Sequence, residues 1–412
     1  MRRIFSILIL LGLVGGAIWY FGFRNKNTDN GSSGVSTTFK SFFPLGNKGS
    51  VDTDGGTDGD NINNPENETP RETSPFKQIS RNPIAGYSIF SRTNTIVKEN
   101  KTKETVIDNY IRYVSRQSGY VYEIKNDLTP LQISNIFIPA IYEAYFLDDK
   151  KSVILRFLKE DGRTIGSYTV PIPEENPDGT RTQKEGSFLL DNISSISVSP
   201  LEKEFVFLVS DTNQGTFSIA DSLNKKKREL FRSPLKEWWV SWPKSDSVYI
   251  QTKPASIVDG FLYKIDVKEK RPRKILGGIK GLTTSVSPSG NLVIFSESTE
   301  GGFSTKLFNT KTLSTKSLGL SILPEKCVWL KNEDLVCAGS TPPEIATYPD
   351  SWYAGLVSFQ DQIFRIYTQS NTFDVLNTGN RAFDITNLQV DENKNILYFI
   401  NKKDGILWQF SL

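Results

Sequence analysis

The chemistry open to this chain of 412 residues is limited first by an absence: it contains no histidine. That excludes a Ser-His-Asp or Cys-His catalytic set and every His-ligated metal or haem site. Neither a G-x-S-x-G elbow nor a G-x-x-x-x-G-K-[ST] phosphate loop occurs. Carboxylate, Lys, Tyr and Ser chemistry remain. A glycan-acting enzyme of the carboxylate type needs two acids about 5–10 Å apart over one pocket, and the nearest candidates are Glu143 and Glu237. The two cysteines, Cys327 and Cys337, flank a short turn at 331–333, where a three-residue loop sets them directly opposite each other. Facing cysteines on an exported hairpin form a disulfide, the alternative being two buried thiols. Two Cys without His make a poor metal site, and no cofactor is expected.

Aromatic residues supply the other candidate surfaces. Residues 340–361, STPPEIATYPDSWYAGLVSFQD, interrupt a strand pattern with a proline-stiffened segment. Its Tyr348, Asp350, Trp352 and Tyr353 have the composition of a recognition loop; the alternative is a packed loop whose rings cover the sheet beneath. Trp238, Trp239 and Trp242 crowd one strand-like run, where they either face a ligand or fill core. Lys225–Arg228 and Lys268–Lys274 are basic turn tips, read as solvated turns or as contacts for anionic polymers or lipid headgroups. Net charge is only +3, so no nucleic-acid partner is expected.

The elements that position these residues are repeated. The stretch Ser285–Ser298, SVSPSGNLVIFSES, joins a strand through Ser-Pro-Ser-Gly to a wholly apolar strand. Related stretches lie around turn positions Asp149, Pro200, Pro243, Lys331 and Asp391, at intervals of about 44 residues with two longer ones. A strand apolar on both faces, as in Phe205-Val206-Phe207-Leu208, belongs between two neighbouring sheets. This period predicts an all-β, seven-bladed β-propeller over 77–412, with six blades as the alternative count. Tyr110–Arg116 and Tyr120–Lys125 supply the first blade. The chain ends at a third strand of the last blade, so a strand from 77–98 is expected to close the ring against 405–411.

Residues 4–23 form an uncharged apolar run of the length of a bilayer core, with Trp19 and Tyr20 near one end. Residues 1–26 therefore read as a single-pass, N-in signal anchor, the alternative being a cleaved signal peptide. Residues 27–76 are polar and read as a disordered, flexible linker. Within them VDTDGGTDGDN superficially matches a calcium loop, but Gly56 occupies a ligand position.

Through Ser287-Pro288-Ser289-Gly290 and Ser199-Pro200 the chain resembles the TolB-type β-propeller superfamily. With its anchor, its linker, and the motifs PEKCVW (324–329) and YPDSWYAG (348–355), the layout is similar to membrane-anchored propellers of small-genome bacteria. The resemblance implies an envelope protein and transfers no catalytic residues. The expectation is an extracytoplasmic, non-enzymatic module on the cytoplasmic membrane that binds an envelope protein or polymer. The alternatives are the carboxylate-dependent glycosidase or lyase and a structural envelope tether.

Overall fold

The computed structural model describes residues 74–412, apart from 98–102, 127–128, 148–149, 177, 341–344 and 377–380. The anchor expected at 4–23 and nearly all of the linker lie outside the described residues. Among the described residues no helix is long and apolar enough to cross a membrane.

Seven four-stranded antiparallel sheets follow one another along the chain. Blade 1 comprises Ile84–Val97, Lys103–Ser115, Val121–Lys125 and Leu131–Gln132; blade 2 Ile141–Leu147, Ser152–Leu158, Ile165–Pro171 and Ser187–Phe188. Blade 3 comprises Ile193–Val198, Glu204–Ser210, Gly215–Asp221 and Arg228–Ser233; blade 4 Trp238–Lys244, Ser247–Thr252, Asp259–Asp266 and Pro272–Lys280. Blade 5 comprises Thr283–Val286, Leu292–Thr299, Gly302–Asn309 and Thr315–Ser317; blade 6 Cys327–Trp329, Leu335–Gly339, Gln362–Tyr367 and Thr372–Leu376. Blade 7 takes Ile385–Asp391, Ile396–Asn401 and Leu407–Ser411 from the end of the chain and Phe76–Gln78 from the start of the described region. The fold is a seven-bladed β-propeller.

The second strands explain why the repeat was visible. Phe205, Val206 and Leu208, like Val293 and Ile294, are fully buried because a neighbouring blade covers each face. The core is thus a set of inter-blade layers, one of which joins Val206, Leu208 and Phe217 to Trp238, Val240 and Trp242. First strands of adjacent blades touch around the centre. Their inner edges have no sheet partner among the described residues, and side chains satisfy part of the backbone there. The backbone N–H groups of Val240 and Trp242 donate to the Ser195 and Ser197 hydroxyls at 3.0 and 2.9 Å.

Three expectations are refined. The ring is closed from the N-terminal side, with Phe76, Lys77 and Gln78 paired to Phe410, Gln409 and Trp408. The closing strand therefore takes in Phe76, which composition assigned to the linker. The longer part of 77–98 does not close the ring, because Ile84–Val97 is one continuous strand, the innermost of blade 1. Tyr110–Arg116 and Tyr120–Lys125 consequently form that blade's second and third strands. Pro243 lies inside Trp238–Lys244 rather than at the turn, which is Ser245-Asp246; a bulge between Ser241 and Lys244 absorbs the lost register.

Cys327 and Cys337 are directly opposed in register and their sulfurs are bonded, with Cα atoms 4.0 Å apart. The loop they enclose is short, so replacing both by serine is expected to cost only about 2–3 kcal/mol of stability in denaturant titrations. An unchanged unfolding midpoint for the variant, or two free thiols in a non-reducing peptide map, would contradict that pairing.

Candidate functional site

In an antiparallel blade the connections alternate between two ends. The links between second and third strands, and between one blade and the next, share one face of the ring. The links between first and second strands, and between third and fourth, share the other. The blade 6 insertion, between Leu335–Gly339 and Gln362–Tyr367, belongs to the first of these, here the insertion face.

The insertion does not hang free. It folds into a short helix, Asp350–Tyr353, over a small apolar nucleus of Phe303, Leu323, Tyr348, Trp352 and Phe359. Tyr348 and Trp352 are buried, so they anchor the insertion and are not its contact surface. Its reach spans several blades. Asp350 Oδ2 accepts the Ser256 backbone N–H of blade 4 at 2.7 Å, and the Tyr348 carbonyl accepts the Ser298 hydroxyl of blade 5 at 2.5 Å. Gly281 permits this close approach: a Cβ there would lie 1.8 Å from Ser298 Oγ and 3.2 Å from Pro349, and its φ of +62° favours glycine. Tyr353 packs edge-on against Trp239 of blade 4, with ring centroids 5.1 Å apart, and its hydroxyl donates to Glu325.

Beneath the helix lies a buried ion cluster that sequence reasoning missed. Lys326, with no exposed side-chain surface, donates to Asp384 Oδ1 at 2.6 Å and the Ile385 carbonyl at 2.8 Å, and pairs with Asp361 Oδ2 at 2.9 Å. The Trp352 and Phe359 rings flank its ammonium, at 5.0 and 4.9 Å. Asp384 Oδ2 also accepts the Trp352 indole N–H at 3.1 Å and the Phe359 backbone N–H at 3.2 Å. Lys402 of blade 7 sits 3.9 Å from the Trp352 ring centroid and donates to that residue's carbonyl. Burial raises the Asp361 carboxyl to about 6 against the opposing pull of Lys326, and its Oδ1 has no hydrogen-bond partner among the described residues. Burial likewise raises Glu325 and lowers Lys402. Because Lys326 opens blade 6, Asp361 ends the insertion and Asp384 precedes blade 7, the cluster fastens the insertion to the seam between two blades.

The candidates thus divide. Trp239, Asp350 and Tyr353 meet on the insertion face, half-buried, with Tyr348 and Trp352 beneath them. Trp238 and Trp242 are corrected to core: both are buried between blades 3 and 4, and the Trp238 indole N–H is spent on Ser233 Oγ and the Leu235 carbonyl. Glu143 and Glu237 are not brought together. Glu143 pairs with Arg156 at a mouth of about 500 Å³ between the first strands, where Glu202, the other acid, is held by Lys150. Glu237 pairs with Lys253 at 3.0 Å among exposed side chains. Beside Trp239 and Glu325, the partners of Tyr353, lies a cavity of about 110 Å³, lined also by Ser241, Gln251, Thr283 and Thr284 among others.

What the insertion does offer is apolar surface. Ile345 and Leu356 are 87% and 78% exposed, and Ile257 and Val258, on the loop that Asp350 ties down, are 82% and 57% exposed.

No family model matches the chain, and no curated protein does. Among solved structures it is similar to the β-propeller domain of the trilobed protease from Pyrococcus furiosus, at 10% identity and a TM-score of 0.45, covering 78% of this chain and 89% of that one. It is similar to TolB from Acinetobacter baumannii at 8% identity and a TM-score of 0.38, covering 79% and 80%. An oligogalacturonate lyase in complex with manganese is similar at 10% identity and a TM-score of 0.47, covering 80% and 98%. Enzymes and a non-enzyme stand side by side at this level of likeness, which carries no argument about activity. The strand pairing itself defines the class.

Proposed function

We propose that the chain is a membrane-anchored, extracytoplasmic propeller that binds a partner protein of the cell envelope on its insertion face. The observation that carries this reading is the apolar quartet Ile257, Val258, Ile345 and Leu356 around a firmly fastened insertion. Large exposed aliphatic side chains are costly to keep in water, and four of them on one face of the ring offer a contact surface. A base fixed by several inter-blade contacts loses little conformational freedom on binding, which favours affinity. The membrane placement rests on the uncharged run at 4–23. The glycan-acting alternative draws no support from Glu143 and Glu237, each neutralised by its own cation.

A photo-crosslinking side chain introduced at position 356 in cells is expected to yield one dominant protein adduct, and the same probe at Leu223, a tip on the opposite face, is not. Equal labelling from both positions, or adducts only with polysaccharide, would overturn the reading.

A further inference from the structure

The opposite face, which carries the turns within each blade, is built differently. On it the third-to-fourth turns of blades 3 and 4 are basic. In blade 3, Lys225, Lys226 and Lys227 are exposed and none has a salt-bridge partner among the described residues; only the neighbouring Arg228 is neutralised, by Glu204 at 2.6 Å. In blade 4, Lys268, Arg271, Arg273 and Lys274 are exposed and equally without an ion pair among the described residues. Of the nearby acids, Glu269 is exposed within the blade 4 tip, while Asp221 and Asp266 are occupied with the turns themselves. The Asp221 carboxylate caps the Lys225 N–H, and Asp266 caps those of Lys268 and Glu269. Lys270 Nζ donates to the Glu229 carbonyl at 2.8 Å and so joins the two tips into one surface.

Apolar tips accompany the charge. Leu201 and Leu223 of blade 3 and Leu313 of blade 5 project from turns on this same face, 68%, 46% and 71% exposed. Leu313 holds a φ of +59°, a conformation that a leucine adopts only at a cost. Basic side chains around isolated leucine tips match an anionic bilayer surface, with headgroups for the ammonium ions and the acyl boundary for the leucines. The chain also enters the ring here: Phe76–Gln78 runs antiparallel to Leu407–Ser411, so its leading end lies at the turn face. On the blade 2 side the acids Glu174, Glu175 and Asp178 interrupt this pattern and bound the basic surface there.

We infer that the blade 3 to blade 5 sector of the turn face docks on an anionic lipid surface, leaving the insertion face turned away from it. The inference is separate from the partner reading, since it uses the other face of the ring.

The test uses the full chain with vesicles of phosphatidylcholine alone or with about one-third phosphatidylglycerol, and reads lysine modification by mass spectrometry. Lys225–Lys227, Lys268 and Lys274 are expected to react at least about threefold more slowly on the anionic vesicles at 0.1 M salt. Lys236 and Lys253, on the insertion face, are expected to react equally on both. Raising the salt to about 0.5 M, or the triple substitution Lys226→Glu, Lys227→Glu and Lys274→Glu, is expected to remove the difference. Equal rates on the two vesicle types, or protection of Lys253 in place of Lys226, overturn the inference. Flotation with the neutral vesicles reports on the proposed anchor separately: its failure removes the anchor and leaves the anionic comparison decisive for docking.

Discussion

Replacing Lys326 by methionine is expected to cost about 3–5 kcal/mol of stability at pH 7, because it strands buried carboxylates that the ammonium now compensates. Lys326 and Asp361 are wholly inaccessible, and Asp384 is nearly so. Methionine keeps most of the volume, so the loss is electrostatic and not a cavity effect. The sign with pH follows from the Asp361 carboxyl, which burial already raises. Without Lys326 it rises further. A folded-state pKa above the unfolded value gives stability that is full at low pH and lost as pH rises through the folded pKa. The variant's deficit is therefore expected to be smaller at pH 5 than at pH 8, and a Lys326→Met/Asp361→Asn double variant is expected to recover part of it. Urea titrations across that range check both points. A deficit that does not vary with pH would mean that the cluster's charges are balanced some other way.

The second large effect concerns closure. Phe76 is buried in blade 7, its ring 4.8 Å from those of Phe383 and Phe410. Its strand contributes only three residue pairs, supported by the Ile79 N–H to the Leu407 carbonyl at 2.9 Å and by the Leu407 N–H to Ser80 Oγ at 3.0 Å. With so few pairs, the side chain carries most of the seal between the two ends of the ring. Phe76→Ala is expected to cost about 3–5 kcal/mol. Deleting residues 74–80 exposes an open sheet edge and is expected to lower the unfolding midpoint of the whole domain in one transition, whereas deleting 27–70 leaves it in place. An unfolding curve for the 74–80 deletion that overlays the parent's would mean that blade 7 stands on three strands.

The architecture was legible where a strand is covered on both faces and flanked by a turn with its own chemistry. Ser287-Pro288-Ser289-Gly290 ahead of Leu292–Thr299 meets both conditions. Blade 1 does not: its first two strands extend to 14 and 13 residues, and the extra length blurs the period. The closing strand Phe76–Gln78 is not legible, because three residues leave no periodicity to read. The disulfide pair was accessible because Cys327 and Cys337 are neighbours through one local turn. The insertion stood out by its prolines and aromatics, but which of its rings are buried depends on partners far away in the chain. Lys326 meets Asp384 58 positions on, and the Trp352 indole meets the same carboxylate 32 positions on. No local pattern marks a lysine whose counter-ions arrive from another blade, so the cluster that fastens the insertion was invisible while the insertion itself was not.

The measurement that bears most directly on the partner-binding reading is co-purification from native membranes with the double variant Ile257→Asp/Leu356→Asp. Both side chains are exposed, so the variant's unfolding is expected to match that of the parent protein. Two buried charges in place of two aliphatic anchors are expected to cut partner recovery at least about tenfold, which corresponds to about 1.4 kcal/mol or more of binding free energy. Recovery of the same partner at the parent's level, from a variant that unfolds like the parent, would contradict binding on the insertion face.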